Sequence, residues 1–296
     1  MKKSYYILIL CVLSLAACSK EDELTPSEPG MNYFAVPANA TDAESVLRRD
    51  FYEQHGVHLL FNDTLYHELG GYYSDGTPYY TTELLDIRYS MTNQDLTEMT
   101  YDYITDIEEQ REAAAIIEEY ILPHLGENLL PYSMFLVSNL QVQDWGILSP
   151  STLYEGERCL AINAGSMIGI PESEIQTMCN DIFYALVYSK LEYETAALED
   201  FYAYSMEYYG LYFSDLGINF MPTPEEVAYI NSLGFIGDAY SLMMMFPASS
   251  LDLSTYLQAI FYNTEENFKA MYAAYPVILE KYDALKGIIE ELGFKF

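Results

Sequence analysis

Metal-assisted hydrolysis, serine hydrolysis and glycoside cleavage each need particular side chains at fixed spacings, and this chain carries only fragments of them. Its four histidines, His55, His58, His67 and His124, all precede residue 125, so the second half offers no imidazole to a transition metal. His67-Glu68-Leu69-Gly70-Gly71 starts like the zinc-binding His-Glu-x-x-His, but glycine occupies the second ligand position and the Gly pair reads as a turn. His55 and His58 straddle Gly56 at a helix end, where a histidine offsets the helix dipole. In Gly165-Ser166-Met167-Ile168-Gly169 the serine directly follows the first glycine, the wrong spacing for a nucleophile elbow, and the stretch reads as a loop. The acid pairs Glu108-Glu109, Glu118-Glu119 and Glu290-Glu291 fall on helical stretches, where they read as solvated faces rather than a glycosidase pair. EF-hand spacing is absent, although so acidic a surface can attract calcium weakly.

Tyrosine is the other unusual feature: 30 of 296 residues, with clusters at Tyr79-Tyr80 and between Tyr202 and Tyr212. A tyrosine ring joins a stacking face to a polar tip. At i, i+3, i+4 spacing the rings bury in a helical core; exposed, they form a platform for sugars or peptides. Tyr202, Tyr204, Tyr208, Tyr209 and Tyr212 are the candidate platform. Met243-Met244-Met245, followed by Phe246-Pro247, reads as a buried hinge or core plug.

The elements that must position these residues follow from periodicity and caps. A helix is expected from Thr41, as N-cap with Glu44 completing a capping box, to His55, stopped by Gly56. Val57 to Phe61 and Tyr79 to Tyr89 read as a hairpin-like strand pair separated by Gly-Gly and Asp75-Gly76 turn signals. Thr92 to Leu125 has helical spacing over one or two helices, and Ser133 to Val142 and Arg158 to Ala164 read as strands. Pro171 to Glu192 is the clearest helix, with Ile175, Met178, Cys179, Ile182, Phe183, Leu186 and Val187 on one face. Beyond it, 194–209, 223–233, 253–262, 264–275 and 277–292 all carry helix character. Strands early and helices late give an α+β fold, an N-terminal mixed sheet with helices followed by a mostly helical C-terminal part.

Composition bounds the partners. With 13 basic against 45 acidic residues and a formal charge of −32, the chain would repel phosphate backbones, and no basic patch offers a nucleic-acid site. At the N-terminus, Lys2 and Lys3 precede an apolar run from Tyr5 to Leu13, too short to span a bilayer as a helix. It reads as a signal peptide. The run ends in Leu15-Ala16-Ala17-Cys18, which resembles the lipobox of bacterial lipoproteins; that implies removal of residues 1–17 and lipid attachment at Cys18. Ser19-Lys20-Glu21-Asp22-Glu23 resembles the acidic signal that sends lipoproteins to the cell surface, with the periplasmic face of the outer membrane as the alternative address. Residues 18–40 then form a tether rich in Pro, Ser, Glu and Ala, and 41–296 a single domain. Cys159 and Cys179 remain, as a disulfide or as two buried thiols.

The order of elements, the lipobox and three local stretches resemble the zinc-binding metallopeptidase lipoproteins associated with TonB-dependent substrate import. The stretches are Leu130-Pro131 leading into a strand, Cys159 to Asn163, and Gly234-Phe235-Ile236-Gly237-Asp238-Ala239-Tyr240. The resemblance implies a zincin-like body in which the helix after the second strand carries His-Glu-x-x-His, two ligands on one face and a glutamate to activate zinc-bound water. Here those positions hold Asn180-Asp181-Ile182-Phe183-Tyr184, so both ligand histidines are replaced. The family's later acidic stretch aligns with Leu251-Asp252-Leu253-Ser254-Thr255, which keeps only Asp252. The expectation is a catalytically inactive relative without zinc or other cofactor, Asn180, Asp181 and Tyr184 lining a vestigial cleft that takes a peptide or glycan for an import complex. The alternatives are a metallohydrolase with a non-standard site and a structural or adhesive surface protein.

Overall fold

A computed structural model describes residues 31–89, 97–192, 194, 196–236 and 244–296. The lipobox with Cys18, most of the tether, residues 237–240 and Met243 therefore lie outside the described residues. Residues 34–296 form one unit, whose spine is a single long strand.

Helix α1 (Ala43–His55) opens this unit, and its first turn is capped by Asp42, whose Oδ1 accepts from the Ser45 amide at 2.9 Å. The expected cap, Thr41, is one residue too early. Asp42 has the extended backbone and short carboxylate that reach the third amide of the helix. Gly56, at φ +71°, ends it as expected. Strand β1 (His58–Leu60) then runs parallel to β5 (Ser133–Asp144).

The hairpin is real but has different members. It pairs β2 (Thr64–Tyr72) with β3 (Pro78–Leu84), and β1 belongs to another sheet. Gly70 and Gly71 sit inside β2 at a register shift rather than in the turn, because the Tyr79 ring lies across them: a Cβ on Gly70 would come within 2.5 Å of Tyr79 Cε2. The turn itself uses Asp75-Gly76, with Asp75 Oδ1 accepting from the Thr77 amide.

Of the helix expected from Thr92 to Leu125, residues 92–96 lie outside the described residues, and the next described element is a strand. Met99–Tyr103 is strand β4, antiparallel to β5, and helix α2 (Ile107–Ile116) starts behind an Asp106 cap, passing into a π turn at Ile117–Ile121. Pairing with an existing strand outweighs helical spacing at 99–103. Two short strands, β6 (Ile147–Pro150) and β7 (Leu153–Glu155), precede β8 (Leu160–Ile162), the core of the stretch read as Arg158 to Ala164.

Strand β5 organises the sheet by changing partners along its length. Its first half runs parallel to β1 and β8 while its second half pairs antiparallel with β4 and β6. Alternate side chains feed two cores: Met134 and Leu136 enter the main core, whereas Phe135, Val137 and Leu140 enter a smaller one with Phe34, Leu85, Ile87 and Cys159.

Helix α3 (Glu172–Leu191) lays Ile175, Cys179, Ile182, Phe183, Leu186 and Val187 into the main core, as its periodicity indicates; Met178 is only partly buried. Helix α4 (Glu199–Ala203), α5 (Pro224–Ser232), α6 (Ser249–Tyr262), α7 (Glu265–Met271) and α8 (Pro276–Leu292) complete the helical C-terminal part. The architecture is α+β, a mixed sheet with helices followed by helices. Cys159 and Cys179 are free buried thiols in different cores, and burial pushes each up to about 12.

Candidate functional site

Helix α3 delivers Asn180, Asp181 and Tyr184 partly exposed beside its buried stripe, and tertiary neighbours then separate them. Asp181 is held at both carboxylate oxygens. The Thr152 hydroxyl donates to Oδ2 at 3.0 Å, and the hydroxyl of Tyr262, the last residue of α6, donates to Oδ1. Desolvation, with Asp181 beside it, raises the Tyr262 pKa well above the usual phenol range, so this hydroxyl remains a donor. The Tyr184 hydroxyl shares a 2.8 Å hydrogen bond with Ser254 Oγ. Asn180 lies apart, in a shallow depression formed with Glu172, Ser173, Gln176 and Thr177 of its own helix.

These residues do not fit a zinc ion. The first ligand position is an amide in a separate depression, the second is a phenol bonded to serine, and the one carboxylate already accepts two hydroxyls. Among the described residues no group of three His, Cys, Asp or Glu side chains is placed to hold a metal ion. The histidines are dispersed: His55 Nε2 meets Glu118, His58 is buried against the Tyr52 ring, His67 stacks on Tyr80, and His124 bonds the Lys295 carbonyl. His67-Glu68 lies on β2 rather than in a turn or a helix.

Tyr184 and Tyr262 instead line an open cleft of about 460 Å³ between α3, α6 and α7. Phe268 and Tyr272 also border it, and Thr255, Gln258 and Asn263 bring hydroxyl and amide groups; none of the described lining residues carries a charge. In a chain with 45 acids that neutrality is a property of the site rather than of the composition.

Tyr202, Tyr204, Tyr208, Tyr209 and Tyr212 do not form one surface. Tyr202 packs on the main core and meets Tyr209 edge-on, Tyr208 packs near Phe246, and only Tyr204 and Tyr212 are exposed. Tyr209 reaches inward, donating to Asp252 Oδ2 at 2.7 Å.

Asp252 is buried against Lys281, which is fully buried. Lys281 Nζ donates to Asp252 Oδ2 at 2.5 Å, to Ser205 Oγ at 2.9 Å and to the Gly234 carbonyl at 3.2 Å, so its three protons are placed. The rings of Phe201, Tyr209, Phe235 and Tyr256 surround the ammonium within 4.8–5.8 Å. Burial pushes the carboxyl up and the amine down, and their mutual attraction opposes both shifts. Gly234 is required where it is: at φ +88° a Cβ would lie 2.8 Å from Ser205 Oγ. With no solvent access, this cluster is a structural tie between α6 and α8 rather than a reactive site.

No protein-family model, curated protein or solved structure matches this chain. Sequence reasoning missed Tyr262, Gln258, Tyr272 and Lys281. A local signal existed only for Lys281, which falls on the buried stripe Ile278, Tyr282, Leu285 and Ile289 of α8. Nothing local ties Tyr262 to Asp181, 81 residues away.

Proposed function

We propose that this chain is an outer-membrane lipoprotein, anchored through Cys18 and exposed at the cell surface, that binds a peptide or glycan as an accessory to TonB-dependent nutrient import. It is a non-catalytic relative of the zinc metallopeptidase lipoproteins. The observation that carries the binding assignment is the state of Asp181. In the resembled family the carboxylate activates a zinc-bound water; here it accepts one hydroxyl at each oxygen, from Thr152 and Tyr262, and the ligand positions beside it hold Asn180 and Tyr184. Tyr262, one of those two donors, also lines a neutral aromatic cleft suited to holding a molecule.

Elemental analysis of the purified chain tests the loss of zinc chemistry: less than a tenth of an equivalent is expected, and one tightly held equivalent refutes it. Mass spectrometry of the N-terminal peptide tests the anchor. A diacylglycerol-modified Cys18 is expected, and an unmodified Cys18 after cleavage elsewhere refutes it. Protease accessibility on intact cells separates the surface address from the periplasmic one.

The second reading, a structural or adhesive surface protein, draws on the β2–β3 ribbon, which exposes Leu69, Tyr72, Tyr73 and Tyr80. It predicts attachment that survives every substitution in the cleft.

A further inference from the structure

We infer that the cleft between α3, α6 and α7 is a saccharide site, taking an uncharged, hydroxyl-rich ligand stacked on tyrosine; this rests on the binding reading above. Three independent features lead there.

The first is wall chemistry. Tyr184, Tyr262 and Tyr272, from α3, α6 and the end of α7, border one cleft, and Phe268 lies buried beneath it. Aromatic faces carry partial negative charge, and they attract the weakly positive C–H faces of a pyranose ring as they attract ring edges. The second is hydrogen-bonding type. Gln258 and Asn263 each offer both donor and acceptor, a match for hydroxyl groups, which are both at once. The Asn263 amide nitrogen donates to the Ala259 carbonyl at 3.2 Å, which fixes its orientation and turns its oxygen to other donors.

The third is the charge pattern. An anionic ligand would be repelled by the acidic surface and would find no Lys or Arg among the lining residues. A cationic ligand would be drawn to the protein but needs a carboxylate at the site. No carboxylate is among the described lining residues, and Asp181, bonded to the lining residue Tyr262, does not itself border the cleft. A neutral ligand meets neither cost.

A peptide is the competing occupant. A peptide held by main-chain pairing needs a sheet edge, and one held by its termini needs a charged group at the site. This cleft is walled by helices and the segment at Ile236, with no strand among its lining residues. Its volume of about 460 Å³ suits one or two sugar rings rather than a run of side chains.

The test uses the full chain in detergent on an array of neutral gluco-, manno-, xylo- and galacto-oligosaccharides, beside uronate-bearing and sialylated ones and a peptide array. Neutral oligosaccharide binding is expected, weakened about tenfold by Tyr272→Ala and by Gln258→Ala. Gln258 is exposed on α6, so its replacement leaves the fold intact and keeps the test valid if Tyr272→Ala unfolds. Preference for peptides or acidic glycans, lost in the same variants, overturns the saccharide assignment while sparing the binding reading. Neutral-glycan binding unchanged in both variants overturns the assignment to this cleft. Silence across both arrays overturns the two together.

Discussion

Asp252→Asn is the substitution with the largest consequence that the structure implies. It keeps the side-chain shape and an acceptor oxygen but removes the charge facing Lys281, whose ammonium has no exposure to solvent. Breaking one side of a buried ion pair typically costs about 3–5 kcal/mol, because the other charge stays behind in a low-dielectric setting. Against a typical domain stability of about 5–15 kcal/mol this is roughly a fifth or more of the total. For a domain of this size each kcal/mol moves Tm by about 2–4 °C, so a fall of roughly 6–20 °C is expected. Urea unfolding at pH 7 with thermal melts would measure it. The double variant Asp252→Leu/Lys281→Met serves as control. The ring of Phe201, Tyr209, Phe235 and Tyr256 suits a methionine, Ser205 still donates to the Leu233 carbonyl, and the cost left is the Tyr209 hydroxyl, about 1–3 kcal/mol if unsatisfied. A loss below about 1 kcal/mol in Asp252→Asn, or a double variant less stable than the single, would refute the view that the pair locks α6 to α8.

Three further outcomes are expected. Cys159 and Cys179, with pKa values pushed up to about 12 by burial, should resist a thiol reagent at neutral pH and react once the chain is unfolded; fast native labelling would contradict their burial. Trp145, the sole tryptophan, is 97% exposed at φ +48° in the β5–β6 turn, so Trp145→Gly should stabilise by about 1 kcal/mol, and a blue-shifted native emission would show the tip to be covered. Glu265, held down to about 2 by hydrogen bonds from Lys269 and Lys286, contributes stability that is present above its unfolded pKa near 4.5 and lost as pH falls towards 2. Because the site is solvent-screened, the stability gap between wild type and Glu265→Gln should stay within about 1 kcal/mol and close over that window; a gap that widens in acid would reverse the sign.

The α+β order, the extents of β5 and α3 and the helical second half were readable because periodicity and capping are local, written within one or two turns of chain. The inward face of α3 followed from Ile175, Cys179, Ile182 and Leu186 alone. Met99–Tyr103 shows the limit: its residues fall within a stretch of helical spacing, and only the edge of β5 beside them makes them a strand. Likewise the Gly70-Gly71 pair carries a turn signal that the Tyr79 ring overrides from the opposite strand.

The site divides in the same way. Sequence alone determined that positions 180 and 184 carry no imidazole, since ligand chemistry is a property of the residue. Tertiary structure decided that Asp181 would accept from Thr152 and Tyr262, that Tyr209 would turn inward, and that Tyr184 would share a neutral cleft with Gln258 and Tyr272. Such contacts join residues tens of positions apart, and their energy depends on distances that no local pattern specifies.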